Sequence, residues 1–162
     1  MPLGGPPRFT RVTADRARAF APVERVPRGA HVIVHGRDRE RGLAVVEEIR
    51  AAGRGTATFY AADLGSLREV RALGDAVLRD YERLDVVINN AGVWLSGDNT
   101  RRTSADGHEL SFAVDYLSGF LLTRMLLPII PRSPESRIVN VASAAQTPID
   151  FDDSMIEPRF AG

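Results

Sequence analysis

The sequence predicts an α/β fold in which a parallel sheet carries helices on both faces. Short runs rich in β-branched residues alternate along the chain with longer segments whose apolar residues recur at helical spacing. Several of the short runs are apolar on both faces, which is typical of parallel strands covered on two sides. Alternating units of this kind build a sheet through crossover helices.

The N-terminal third begins without a clear period and then becomes regular. Residues 1–28 are rich in Pro, Gly and Arg, and the prolines would interrupt any long helix, so no regular element is predicted there. The run AHVIVHG at 30–36 predicts the first strand. A helix over 38–53 follows and ends at Gly53. Its apolar positions are Leu43, Val46 and Ile49.

The middle of the chain repeats this pattern. TATFYAAD at 56–63 predicts the second strand, and Ser66 is placed to cap a second helix. The apolar face of that helix comprises Leu67, Val70, Leu73, Val77 and Leu78. LDVVINNAG at 84–92 predicts the third strand. A long apolar-striped helix is predicted over 108–128, and SRIVNVAS at 136–143 predicts the fourth strand.

Composition excludes several classes of function. The chain has 162 residues, 21 basic and 21 acidic, so its zero net charge favours neither nucleic acid nor an anionic membrane as partner. No apolar run approaches the roughly 18 residues of a membrane span, and no signal peptide is recognisable. Without cysteines, and with three scattered histidines taken as surface or loop residues, no metal site is predicted. A cytoplasmic location is the expectation.

Polar or small residues stand at the carboxyl ends of all four predicted strands. They are Arg37, Asp63, the segment Asn89 to Gly92, and Ser143. In parallel α/β sheets, ligands bind beyond the carboxyl ends of the strands. The sequence therefore predicts a cleft for a polar ligand at this edge.

Five motifs in these positions resemble the short-chain dehydrogenase/reductase family, with retinol-dehydrogenase-like members as the nearest likeness. They are INNAG at 88–92, HGRDRERG at 35–42, ADLGSL at 62–67, FAVDYLSGFLLTRMLLP at 112–128 and SRIVNVASAAQTPIDFDD at 136–153. The resemblance implies a partial Rossmann-type, doubly wound parallel sheet in three α/β/α layers, with an incomplete C-terminal half. It divides the chain into an irregular or damaged segment, 1–28, and a partial dinucleotide-binding domain, 29–162.

The resemblance also assigns a cofactor site. Its members are Arg37, Asp63, Leu64, Asn90, Ala91 and Gly92. Asp63 and Leu64 would flank the adenine, and Asn90 to Gly92 would let the ribose approach the backbone. Arg37 matches the position that holds a 2′-phosphate, for which a guanidinium group is suited, so NADP is expected rather than NAD.

The catalytic part of the family pattern is incomplete. Ser143 matches the catalytic serine, and Asp115 stands where the family has an asparagine. The Tyr-x-x-x-Lys pair is absent, because all 21 basic residues are arginine. The family's glycine-rich turn is missing too, since no glycine lies between Gly5 and Gly29, and this opposes diphosphate binding in the family's manner.

Three readings of the function remain open. The first is an NAD(P)-dependent oxidoreductase acting on an alcohol or carbonyl substrate, with this chain inactive alone. The second is a truncated or frame-shifted gene product, and the third is a non-catalytic nucleotide-binding or interaction module. The resemblance further implies a homo-oligomer formed through the helix at 108–128.

Overall fold

The computed structural model describes residues 28–93, 100–142 and 150–153, together with the backbone of residues 8–12. Its strands are β1 (Arg8–Val12), β2 (Ala30–Gly36), β3 (Gly55–Ala61), β4 (Val86–Asn89) and β5 (Arg137–Asn140). Its α-helices are α1 (Arg39–Ala51), α2 (Leu67–Asp80) and α3 (Ser118–Leu126). A π-helical segment, Phe112–Leu117, leads into α3, and a 3-10 turn, Ile130–Arg132, precedes β5.

The five strands form one parallel sheet in the order β3-β2-β1-β4-β5. This is the strand order of a doubly wound dinucleotide-binding fold, in which the direction of winding reverses beside the first strand. The predicted fold class is confirmed, and the reversal lies between β1 and β4.

Strand β1 lies where the sequence predicts no regular element, so that expectation was wrong for residues 8–12. The strand occupies the centre of the sheet and pairs with β2 on one side and β4 on the other. Its sequence, RFTRV, has little of the apolar character seen in β2. The strand forms because β2 and β4 pair with it through hydrogen-bonded ladders on both sides. Such tertiary context outweighs intrinsic strand propensity.

Side chains cap the starts of α1 and α2, and Ser66 is the cap that the sequence predicts. The Asp38 carboxylate accepts a hydrogen bond from the Arg41 N–H at 3.0 Å, and the Ser66 hydroxyl accepts one from the Glu69 N–H at 3.4 Å. On α1, Val46 and Ile49 are buried, but Leu43 is 45% exposed and does not belong to the apolar face assigned to it.

The predicted helix over 108–128 is shorter than expected and changes its winding. The Glu109 carboxylate accepts hydrogen bonds from the N–H groups of Ser111 and Phe112, at 3.0 and 2.7 Å, and so caps the start of the helical segment. Beyond this cap, Phe112–Leu117 are π-helical, and helix α3 begins at Ser118. Single π-turns inside helices occur frequently at functional sites.

Two apolar clusters cover the two faces of the sheet. On one face, Ile33 and Val87 pack against buried residues of α2 and α3. On the other, Val32 and Val34 pack against Val46 of α1. Strand β5 is different, because all four of its residues are exposed. Within the described ranges, no helix is both long and apolar enough to cross a membrane.

Candidate functional site

The carboxyl ends of β2, β3 and β4 form one edge of the sheet, and two adjoining clefts lie along it. The first cleft is lined by His35, Arg37, Asp63, Leu64, Val93 and Val114. The lining of the second includes Asn89, Ala91, Asp115 and Ser118. Leu64 and Val114 line both clefts. The two clefts therefore form one groove that runs from the end of β3 to the end of β4.

In the first cleft, the structure brings together three residues expected to bind the cofactor: Arg37, Asp63 and Leu64. The Asp63 carboxylate accepts a hydrogen bond from the Gly65 N–H at 2.9 Å, while its own N–H donates to the Glu69 carboxylate at 2.7 Å. Leu64 is buried, and Arg37 is exposed at the surface. An oriented carboxylate, an apolar wall and a cation thus lie within one cleft.

His35 also lines the first cleft, which the sequence analysis missed by taking it as a surface or loop histidine. It lies on β2, is 2% exposed, and donates from Nε2 to the Ala62 carbonyl at 2.9 Å. Burial lowers the pKa of His35, although the bond to Ala62 and the charge of Asp63 oppose that shift. The ring is therefore held neutral as part of the apolar wall. The sequence carries no signal for this position, because the burial of His35 depends on the layers that pack against β2.

In the second cleft, Asn89 connects three elements. Its Nδ2 donates to Thr123 Oγ1 of α3 at 3.0 Å and to Asn140 Oδ1 of β5 at 2.8 Å. Its Oδ1 is buried and, among the described residues, has no hydrogen-bond partner. The predicted cofactor site included only the last three residues of INNAG. In the structure, the side chain of the first asparagine, Asn89, links β4 to α3 and β5.

The other residues of the motif follow β4 at the surface of the groove. Asn90 and Ala91 are half-buried, and Ala91 lines the second cleft. Gly92 is exposed, and a Cβ added to it would lie 3.6 Å from Asp115 Oδ1, an ordinary contact distance. The described packing therefore leaves room for a methyl group at Gly92.

Asp115 lies in the π-helical segment and faces the backbone that follows β4. Its Oδ1 accepts a hydrogen bond from the Val93 N–H at 2.8 Å. Partial desolvation raises the pKa of Asp115; the Val93 bond opposes this shift, and the carboxylate of Glu109 adds to it. The described geometry gives this aspartate one backbone contact that an asparagine could also make.

The remaining site predictions are not tested by the described residues. Ser143, the expected catalytic serine, lies outside the described residues. In the part of the chain that the structure covers, no three His, Asp or Glu side chains converge as metal ligands. The assignments of Arg37, Asp63, Leu64, Asn90, Ala91, Gly92 and Asp115 to particular roles stay predictions.

The chain is similar in sequence to known proteins. The family described as short chain dehydrogenase matches residues 21–149, so the match starts before Gly29. Human retinol dehydrogenase 14 is 37% identical over 168 residues, which cover 94% of this chain and 49% of that protein. Human retinol dehydrogenase 13 is 36% identical over 137 residues, covering 81% of this chain and 40% of that protein. The chain thus spans less than half the length of these relatives.

Solved structures agree on the fold. A metagenomic short-chain oxidoreductase in complex with NADP has a TM-score of 0.67 at 29% identity, and the match covers 93% of this chain and 67% of that one. A bulky-bulky ketone specific alcohol dehydrogenase from Comamonas testosteroni has a TM-score of 0.66 at 20% identity, covering 84% and 55% of the two chains. The second likeness concerns the fold alone.

Proposed function

Since this chain belongs to the short-chain dehydrogenase family, we propose that its groove binds a nicotinamide dinucleotide in the manner of that family's oxidoreductases. One observation carries the proposal: two adjoining clefts lie at the carboxyl ends of β2, β3 and β4, where the strand order reverses. The whole family protein would transfer a hydride between this cofactor and an alcohol or carbonyl substrate. Location in the cytoplasm stays a prediction from composition.

The first cleft fits the adenosine half of such a cofactor. Asp63 offers carboxylate oxygens to an exocyclic amine, and buried Leu64 offers an apolar wall to a ring. Arg37 directly follows β2, and its guanidinium could hold a 2′-phosphate through paired hydrogen bonds. NADP is therefore the proposed cofactor rather than NAD, for which an acidic residue would be expected.

The second cleft fits a polar group, because the buried Oδ1 of Asn89 lacks a partner among the described residues. The diphosphate between the two halves is matched less well. The family's glycine-rich turn corresponds to a segment without glycine between Gly5 and Gly29, most of which lies outside the described residues. We therefore expect weaker dinucleotide binding than a glycine-rich turn would allow.

We further propose that this chain alone does not transfer hydride. It contains no lysine, and its three tyrosines lie away from the groove in the described structure. The hydroxyl of Tyr60 donates to Asp80 at 2.6 Å, and that of Tyr81 is hydrogen-bonded to His31 at 2.9 Å. Tyr116 is 58% exposed on the outer side of its helix. A bound nicotinamide would supply hydride chemistry, but no tyrosine–lysine pair would move the substrate proton.

A non-catalytic nucleotide-binding module is the second candidate, and the same facts favour it: the groove is formed while the proton-transfer pair is missing. A truncated or frame-shifted gene product would have the same residues. The two are separated by binding, because a functional module must hold its nucleotide at useful concentrations.

The test is a thermal-shift titration of the purified chain with NADP and NAD. A ligand that binds only the folded state raises Tm, so NADP should raise it more than NAD. Arg37→Ala should weaken NADP binding by about tenfold, the loss of a bidentate phosphate contact, without affecting NAD. The matched control is Arg50→Ala at the far end of α1. Absence of any shift at saturating nucleotide would overturn the proposal, and measurable NADPH oxidation would contradict the expected inactivity.

We also propose self-association through the exposed side of the helical segment 112–126. Phe112, Tyr116 and Phe120 recur every four residues, with ring centroids 5.4 and 6.2 Å apart along the stack. Tyr116 and Phe120 are 58% and 56% exposed. An exposed aromatic row of this kind marks an interaction surface, and a second copy of the helix is the proposed partner.

A further inference from the structure

The groove contains a carboxylate at the end opposite to the first cleft. Arg37 and Asp63 line the first cleft, at β2 and β3, whereas Asp115 lines the second, at β4. A dinucleotide binds across the point where the strand order reverses. With its adenosine in the first cleft, its nicotinamide half would extend toward the second.

The charge of Asp115 is not offset by a cation in the part of the chain described here. The groups that act on it are the Val93 N–H, which donates to Oδ1 at 2.8 Å, and the carboxylate of Glu109. Neighbouring donors are engaged elsewhere: the Ser118 hydroxyl donates to the Val114 carbonyl at 2.7 Å, and Asn89 Nδ2 donates to Thr123 and Asn140. The cleft therefore carries local negative charge.

Glu109 does not share this position in the groove. It is 5% exposed, and its two oxygens accept hydrogen bonds from the N–H groups of Ser111 and Phe112. These N–H groups, at the start of the helical segment, stabilise the charge of Glu109. Asp115, by contrast, faces Gly92, which has no side chain to stand between the carboxylate and a ligand.

Hydride transfer changes the charge of a dinucleotide only at the nicotinamide ring. The oxidised ring carries one positive charge and the reduced ring none, while adenine, riboses and phosphates stay the same. A fixed anion near that end attracts the oxidised form and leaves the reduced form nearly unaffected. Asp115 is exposed in this cleft, so water and salt screen part of the attraction.

We propose that Asp115 is a specificity-determining residue that makes the groove bind the oxidised dinucleotide in preference to the reduced one. An asparagine at this position would keep the shape and the Val93 contact without the charge. The inference rests on the proposed function, since it requires the groove to bind a dinucleotide.

The test measures the Kd of NADP⁺ and of NADPH by isothermal titration calorimetry, for the unmodified chain and for Asp115→Asn. The substitution should reduce the preference for NADP⁺ by about threefold to tenfold, through weaker NADP⁺ binding with little change for NADPH. The matched control is Asp63→Asn in the first cleft, which should weaken both nucleotides alike. In the unmodified chain, the preference should shrink at high salt.

Three results would overturn the inference, and they separate it from the proposed function. If Asp115→Asn binds both nucleotides with an unchanged ratio, the charge has no role while dinucleotide binding stands. If the preference of the unmodified chain for NADP⁺ does not vary with salt, the charge likewise has no role. This second result does not depend on the folding of a variant. If neither nucleotide binds the unmodified chain, both proposals fail.

Discussion

Two glycines beside β3 and β4 show how differently the same residue can be constrained. A Cβ at Gly42 of α1 would lie 2.0 Å from an atom of the Phe59 ring, so helix α1 can approach β3 only because this side chain is missing. At Gly92 the nearest such atom, Asp115 Oδ1, is 3.6 Å away. Packing explains the first glycine, whereas the second is free of that requirement in the described structure.

Gly92→Ala therefore separates ligand binding from folding. Its free energy of unfolding should stay within about 0.5 kcal/mol of the unmodified chain, as for most surface substitutions. NADP binding should weaken, because the added methyl group enters the space where the ligand approaches the backbone. Gly42→Ala is the contrasting control and should cost about 1–3 kcal/mol through overpacking. Urea denaturation and nucleotide titration measure both effects; equal destabilisation by the two substitutions would contradict this account.

At the level of elements, the Asp80 carboxylate at the end of α2 links this helix to β3 through a hydrogen bond. Asp80 accepts hydrogen bonds from the Tyr60 hydroxyl at 2.6 Å and from the Arg79 guanidinium at 2.8 and 3.0 Å. The bonds from Tyr60 and Arg79 lower the pKa of Asp80. Burial, followed by the bond to Asp80, raises the pKa of Tyr60. The cluster thus favours an ionised aspartate beside a neutral tyrosine.

The pH dependence of this contact has a definite sign. Because the folded-state pKa of Asp80 lies below its unfolded value of about 4, its stabilisation is present above that value and lost as the pH falls. Asp80→Asn should therefore have a lower Tm than the unmodified chain at pH 7, and the difference should vanish in strong acid. Thermal melts recorded from neutral to acid pH measure this; a difference that persists unchanged at the lowest pH would contradict the assignment.

Elements that local sequence determines were predictable, and elements that depend on neighbours were not. Strand β2 and helices α1 and α2 follow from an apolar run or period bounded by Asp38, Ser66 or a closing glycine. Strand β1 was missed because RFTRV has no such pattern and depends on the ladders of β2 and β4. The π-helical winding before Ser118 depends on how that segment packs. The helix propensities of its single residues do not predict that packing.

The site shows the same division. Arg37, Asp63 and Leu64 were found together because they lie just beyond the carboxyl ends of β2 and β3, two strands that the sequence marks clearly. His35 was missed because a histidine inside a strand gives no sign of which face it occupies until the neighbouring layers are known. The role of Asn89 likewise depends on Thr123 and Asn140, which are distant in sequence.

At the scale of the whole molecule, strand β5 exposes apolar side chains at one edge of the sheet. Strand β5 is the last in the sheet, and Ile138, Val139 and Val141 are 40%, 41% and 57% exposed. The register pairs Ile138 with Val87, so Ile138 is on the sheet face that α3 covers. The exposed aromatic row of the 112–126 helical segment belongs to the same layer. Exposed apolar side chains of this kind favour assembly.

Phe120→Glu tests the proposed self-association. If the aromatic row forms the interface, the unmodified chain should sediment as a dimer and the variant as a monomer, because a charge is placed in a desolvated contact. Leu43→Glu, on the exposed side of α1, is the matched control and should leave the dimer intact. Sedimentation velocity measures the result. A monomeric unmodified chain at its highest soluble concentration would contradict the proposal.

The central position of β1 has a consequence for how the sheet is assembled. Among the described residues, 8–12 form the only ladder that joins β2 to β4, since the sheet runs β3-β2-β1-β4-β5. The β2–β3 pair can form as soon as residues 30–61 leave the ribosome, but the sheet is joined across its middle only when residues 86–89 have been synthesised. Closing so long a loop makes this the late, slow step of folding. The least strand-like segment of the sheet is thus the one that joins its two halves.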